Sequence, residues 1–221
     1  MSTVDLNDIN MKKGYYYETI ITTFNENNEN NAAPIGIAIK NTDEITCRIF
    51  KGSKTLENIR LNKKFIVNIT RNPLYLTLST VGNLEEEYFQ FHNNDKNYPY
   101  LKEVEAYIVC EVTKIKDIDK NNDPVRKSEA GFIKSKVCEI VKLNKCVNPL
   151  NRSIYSLLES LVNYTRIDIV DKDMQNYYLD RLDESERIIN KVGSNEEKKA
   201  ILILRSKLKE KGIEIPNNKL I

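Results

Sequence analysis

Five side chains between positions 48 and 55 can do chemistry: Arg48, Lys51, Ser53, Lys54 and Thr55, grouped around Gly52. They stand where a β-rich run, residues 45–50, gives way to a helix-like stretch reaching residue 61. The first N–H groups of a helix have no intrahelical partner, and the helix dipole favours negative charge there. Cations and hydroxyls at such a start suit a phosphate. A plainer reading uses the same residues: Ser53 or Thr55 is an ordinary N-cap, and the basic side chains are solvated.

A second feature lies upstream, in residues 31–40, NAAPIGIAIK. In a strand, Ala33, Ile35, Ile37 and Ile39 share one apolar face. The other face carries only Ala32, Pro34, Gly36 and Ala38. Pro and Gly weaken a strand interior and mark an edge, a bulge or a close approach by something else. The strand is then either an edge strand or a surface kept low for a flat ligand.

The surrounding chain supplies the elements that position these residues. Residues 15–25 are rich in Tyr, Ile, Thr and Phe, which favour strands. Tyr15, Tyr17, Thr19, Ile21 and Thr23 fall on one face. Short polar turns at 27–30 and 41–44 predict antiparallel hairpins. In residues 65–69, Phe65, Val67 and Ile69 point inward, with Asn68 and Thr70 on the other face. Residues 74–81 read equally as helix or strand. Residues 106–118 and 132–143 are long β-rich runs around a turn at Asn121–Pro124. Glu111, Lys114, Lys116, Lys134, Lys136 and Glu139 give them a solvated face. Several antiparallel strands around one helix predict a barrel, not a βαβ sheet.

The pattern changes near Asn148 and Pro149. Ile154, Leu157, Leu158, Leu161 and Val162 follow helical spacing, with Ser153 as the expected N-cap. Further helices are expected over 171–192 and from 194–195 to Gly212, with Pro216 closing the structured region. They read as packing elements with solvated Lys/Glu faces. The fold class is α+β, with domains at 1–147 and 148–221.

Composition narrows the function classes. Among 221 residues, 34 basic and 32 acidic groups leave a net charge of +2, not a nucleic-acid footprint. No run suits a membrane span, and the N-terminus does not read as a signal peptide. Cys47, Cys110, Cys138 and Cys146 form no C-x-x-C, and reduced thiols in a cytoplasmic protein are expected. The first three fall in apolar β-like runs, where a thiol packs as a small hydrophobe. The single histidine, His92, excludes a multi-histidine metal site and reads as a partly exposed bystander. There is no G-x-G-x-x-G, P-loop or H-E-x-x-H. A chain this poor in acid/base groups suits chemistry carried by a cofactor.

The order YETIITTFNENNENNAAPIG, CRIFKGSKTLENI and FIVNIT resembles FMN-binding split-barrel proteins of the flavin-reductase-like kind. The later stretch NRSIYSLLESLVNYTRI resembles an uncharacterised family of methanogenic archaea and some methylotrophic bacteria, in which a helical region follows the split barrel. The resemblance implies a homodimer of antiparallel split β-barrels with FMN near the interface. It implies that Arg48, Lys51, Ser53 and Thr55, with Asn58, hold the phosphate. Ala32, Pro34 and Gly36 would lie near the isoalloxazine ring, and Asn31 and Thr70 at its polar edge.

The expected function is therefore an FMN-binding oxidoreductase acting through flavin N5 on an unknown substrate. The resemblance names no catalytic residue. One alternative is a protein that holds FMN or another phosphorylated ligand without turnover. Another is an oligonucleotide-binding barrel, which the near-neutral charge disfavours. Neither a nucleic acid nor a membrane is an expected partner.

Overall fold

The first strand, β1 (Tyr16–Phe24), pairs antiparallel with β2 (Asn30–Asn41), which turns at once into β3 (Glu44–Phe50). A computed structural model describes residues 4–82, 84–120 and 128–213 of this chain. The turn expected at Asn121–Pro124 and the terminator Pro216 lie outside the described residues. After β3 come α1 (Lys54–Asn62), β4 (Lys64–Ile69) and α2 (Pro73–Val81). A short pair, β5 (Phe89–Phe91) and β6 (Pro99–Leu101), precedes the long hairpin β7 (Ala106–Lys120) and β8 (Ser128–Lys142).

Six strands close a barrel in the order β1-β2-β3-β8-β7-β4, and every ladder is antiparallel. Period-2 alternation sends Ile21, Ile37, Ile45, Ile49, Val67 and Ile133 inward. Phe65, Val67 and Ile69 face inward as their spacing predicts. Leu56 and Ile59 of α1 plug one end of the barrel. Leu56 lies over Gly131 of β8, where an added Cβ would stand 2.7 Å from Leu56 Cδ1. Leu6 and Ile9, on a 3-10 turn, and Met11 join the same core, and the Leu6 N–H bonds the Thr42 carbonyl at the β2–β3 turn. These apolar plugs replace the water that an open-ended barrel would admit.

The β2–β3 ladder is short. It runs from Asn41 and Glu44 only as far as Ile37 opposite Cys47. Beyond that point Arg48, Ile49 and Phe50 pair with β8 alone, and Asn30–Gly36 pair with β1 alone. The barrel is split there. The edge-strand reading of residues 31–40 therefore fails for the second half of β2, which has a neighbour on each side. It holds for the first half.

The run 74–81, ambiguous by pattern, is helical. Asn72 caps it by accepting from the Leu74 N–H at 2.9 Å, and Pro73 takes the first position, where no N–H is needed. With β5–β6 it covers an outward patch of the barrel, packing Tyr75, Leu84, Phe89 and Leu101 against Ile20 and Ala32.

Residues 151–221 form a second compact unit, distinct from residues 1–150. It contains α3 (Arg152–Tyr164), α4 (Lys172–Val192) and α5 (Asn195–Glu210). Their N-caps are Asn151, Asp171 and Ser194, the last in a capping box with Glu197. The expected cap Ser153 instead lies inside α3 and gives its N–H to Asn151 Oδ1 at 2.8 Å. Leu157, Leu179, Leu182, Ile189, Leu204 and Leu208 form the core. Ile154, Leu158, Leu161 and Val162 stay 41–50% exposed, so their helical spacing does not bury them here. The packing role expected of α3 is carried by Leu157, with Tyr164 packed against the same core.

Candidate functional site

The split opens between the start of β2 and the end of β3, and the turn Lys51–Ser53 leads from it into α1. Gly52 holds φ +78°, a conformation that disfavours side chains. Ser53 is the N-cap: its Oγ accepts from the Leu56 N–H at 3.3 Å and donates to the Phe50 carbonyl at 2.8 Å. The ordinary capping role is thus realised. The next N–H groups, of Lys54 and Thr55, belong to the helix positions that lack an intrahelical acceptor.

Three of the predicted residues meet through a fourth. Asn31 Nδ2 donates to Thr55 Oγ1 at 3.0 Å, and Asn58 Nδ2 donates to Thr23 Oγ1 at 3.0 Å. Asn31 also reaches Thr23 Oγ1, at 3.5 Å. The cluster ties β1, β2 and α1 together at the split. Thr23 was missed as a site residue. Its signal was a hydroxyl on the inward row of β1, where alternation calls for an apolar side chain.

Arg48 and Phe50 lie on the outward row of β3, with the guanidinium carbon 5.2 Å from the Phe50 ring centre. Lys51 Nζ pairs with Glu129 at 2.7 Å. Both partners are largely exposed, so this pair adds about 1 kcal/mol or less and yields readily to a stronger anion. On β2, Gly36 is exposed, Pro34 half-buried and Ala32 buried beneath Tyr75 and Leu84.

Thr70 stands apart from the cluster of Thr23, Asn31, Thr55 and Asn58, with β1 between β4 and β2. Opposite Ile20 stand Pro34 on one side and Asn68 on the other, so β2 and β4 flank β1 on different sides. Thr70 follows the last residue of β4, and its hydroxyl accepts the Asn72 N–H at 3.1 Å. Its neighbour Asn68 serves the fold: Oδ1 accepts the Leu101 N–H at 2.8 Å, and Nδ2 donates to Thr22 Oγ1 at 3.0 Å.

A cavity of ≈ 880 Å³ opens along the flank of α1 beside Asn31 and Asn58. That is within the usual size of a small-molecule site.

His92 is buried, which corrects the expectation of a partly exposed bystander. Its Nδ1 stands 3.0 Å from Tyr107 Oη and its Nε2 3.3 Å from Glu139. The β5–β6 excursion brings it there, and no sequence pattern marks that excursion. Tyr107 is pushed up to about 12 by burial first, then by Tyr100 and Glu139. Cys47 and Cys110 are buried, and burial raises the Cys47 thiol to about 12. Cys138, expected to pack in the same way, is exposed on β8. Among the described residues no cluster of His, Cys, Asp and Glu could hold a metal, and no helix is long and apolar enough to cross a membrane.

Two family models match the chain: "Protein of unknown function (DUF447) N-terminal domain" over residues 17–139, and "Protein of unknown function (DUF447)" over 151–206. The chain is similar to the uncharacterized protein MJ1453 of Methanocaldococcus jannaschii, at 28% identity over 194 residues, covering 86% of this chain and 96% of that one. Among solved structures it is similar to the FMN-bound protein MM1853 from Methanosarcina mazei. Identity is 27%, coverage 91% of this chain and 99% of that one, and the TM-score 0.54. Nitrilotriacetate monooxygenase component B from Bacillus cereus is more distant, at 14% identity and TM-score 0.48, covering 65% of this chain and 79% of that one.

Proposed function

The chain belongs to the DUF447 family, and from that premise we propose that it is a flavoprotein that seats FMN in the split between β2 and β3. The observation that carries this reading is the ladder that stops at Ile37 and Cys47. Past that point two strand edges diverge, and unpaired edge groups call for hydrogen-bond partners. The α1 N-terminus stands at the mouth. The similar protein MM1853 is described as FMN-bound.

The residues present fit the group. Backbone N–H groups of Lys54 and Thr55, with the cations of Arg48 and Lys51, suit a phosphate. Pro34 and Gly36 leave the outward face of β2 low enough for a flat ring. Asn31 and Asn58 hold α1 in place through Thr55 and Thr23. Bound there, FMN would supply two-electron exchange at its N5, and oxidoreductase activity on a small molecule follows as the proposed reaction. The protein's own part is binding and orientation: Cys47, where the ladder ends, is buried in the core with its thiol pushed up to about 12, and His92 is engaged with Tyr107 and Glu139.

We further propose a homodimer. Phe50 and Phe132 are 57% and 36% exposed and lie diagonally on the outward face beside Arg48. A second copy covering them would also cover the split. The cytoplasm is the proposed compartment, consistent with four free cysteines. Retention of FMN without turnover is the second reading, favoured by the burial of Cys47, whose raised thiol is neutral where the ladder ends.

An absorbance spectrum of the purified protein, with identification of any ligand released on denaturation, tests the proposal. Flavin bands and released FMN are expected. A colourless protein that also fails to bind added FMN overturns it. Turnover with reduced nicotinamide or a deazaflavin donor then decides between enzyme and carrier.

A further inference from the structure

The strands β1 and β2 hold one acid between them, Glu18. Tyr17 and Ile21 point into the core, so Glu18 falls on the outward row. It stands directly opposite Gly36. Its backbone is held on the other edge as well, where the Glu18 N–H donates to the Leu150 carbonyl at 2.8 Å. Gly36 is the first residue past Ile37, where the β2–β3 ladder stops. Glu18 is therefore placed at the point where the split opens.

Gly36 is exposed, and nothing in its own chain demands a glycine. Its φ lies outside the left-handed region. An added Cβ would meet Glu18 Oε2 at 3.4 Å and the Tyr17 carbonyl at 3.9 Å, which are ordinary contacts. A glycine weakens a strand, and one that neither backbone nor neighbours require marks a close approach by something else. The same 3.4 Å sets a carboxylate oxygen beside the open spot. Further along the face, Ile20 and Ala32 are buried under Tyr75 and Leu84. The open part is thus Pro34 and Gly36, bordered by Glu18.

A flat ring seated on Pro34 and Gly36 has this carboxylate at its border. Two-electron reduction of a flavin brings a hydride to N5 and leaves negative charge at N1 and the C2 carbonyl. A fixed carboxylate nearby opposes that charge and acts little on the oxidised ring, which is uncharged. We propose that Glu18 sets the reduction potential of bound FMN, holding it low so that the reduced flavin is a strong electron donor. The inference rests on the FMN reading and adds to it a side chain that acts on the ring instead of the phosphate.

Potentiometric titration of the FMN-loaded full chain against a dye of known potential, with dithionite as reductant, tests this. Glu18→Gln keeps the shape and removes the charge. It is expected to favour the reduced form at least tenfold, a rise of about 30 mV for a two-electron couple. Oxidised FMN is expected to titrate within threefold of the unsubstituted protein. Glu18→Asp keeps the charge, and its potential is expected to stay nearer that of the unsubstituted protein. Equal potentials in the Glu18→Gln variant and the unsubstituted protein overturn the inference and leave the FMN reading standing. A Glu18→Asp potential that rises as far as that of Glu18→Gln assigns the shift to lost packing and overturns it too. Loss of oxidised FMN from the Glu18→Gln variant makes Glu18 a binding group and overturns its role in the potential. No FMN binding by the unsubstituted protein removes the flavin reading and this inference with it.

Discussion

Asn31, at the start of β2, donates to the hydroxyl of Thr55 on α1 across 3.0 Å. The two residues are 24 positions apart, and this bond locks the helix onto the strand that borders the split. Thr55 is 2% exposed, so its replacement partner would have to be found inside the protein. Thr55→Val is expected to leave the Asn31 amide short of a partner and to cost about 1–3 kcal/mol. In a chain of this size each 1 kcal/mol lowers Tm by about 2–4 °C. A thermal melt checks this, and an unchanged Tm would remove the bond from the account of the split.

Arg48 and Ser53 separate binding from folding. Ser53→Ala removes the α1 cap, with a loss of about 1 kcal/mol in stability. Arg48→Ala touches the outward face and no helix cap. A hydrogen bond to a charged group contributes roughly 1.5–3 kcal/mol, which is about tenfold or more in affinity. FMN titration of both variants is expected to show that loss. Tm is expected to fall in the Ser53 variant.

Gly131 has a steric reason to be glycine. Leu56 Cδ1 would lie 2.7 Å from a new Cβ. Gly131→Ala is expected to push Leu56 from its place in the barrel end and to cost about 1–3 kcal/mol. Denaturant unfolding measures it. A double variant with Leu56→Ala is expected to recover less than the full loss, because it also removes a buried side chain.

The cysteines divide by burial. Cys138 and Cys146 are exposed and are expected to react with a thiol reagent in the native state, with Cys47 and Cys110 joining only in denaturant. The Cys47 thiol is raised from 9.0 to about 12 by burial. A raised acid is neutral in the folded state and ionises more easily when unfolded. Its contribution is therefore intact below pH 9 and is lost as pH climbs toward 12. Cys47→Ala is expected to flatten that alkaline limb in pH-dependent unfolding.

Legibility of the candidate site followed the range of the forces that build it. The turn before α1 is local chemistry: a glycine with positive φ, a hydroxyl cap and nearby cations lie within eight positions. Thr70 belongs to the same expected set, and strand order places β1 between it and β2. Thr23 was overlooked because a single inward hydroxyl acquires meaning only when Asn58 arrives opposite it.

By itself the amino-acid sequence determined the alternation behind the six barrel strands, the breaks that start and stop most of the helices, and the donor-rich turn at Lys51–Ser53. These depend on neighbours within a few residues, where sterics and backbone hydrogen bonding are decisive. Only the tertiary structure decided where the β2–β3 ladder ends, that His92 is buried against Tyr107, and that Glu18 stands against Gly36. Those relationships join residues that are distant along the chain. They follow from how a closed barrel shares its strand edges, and no short stretch of sequence carries that information.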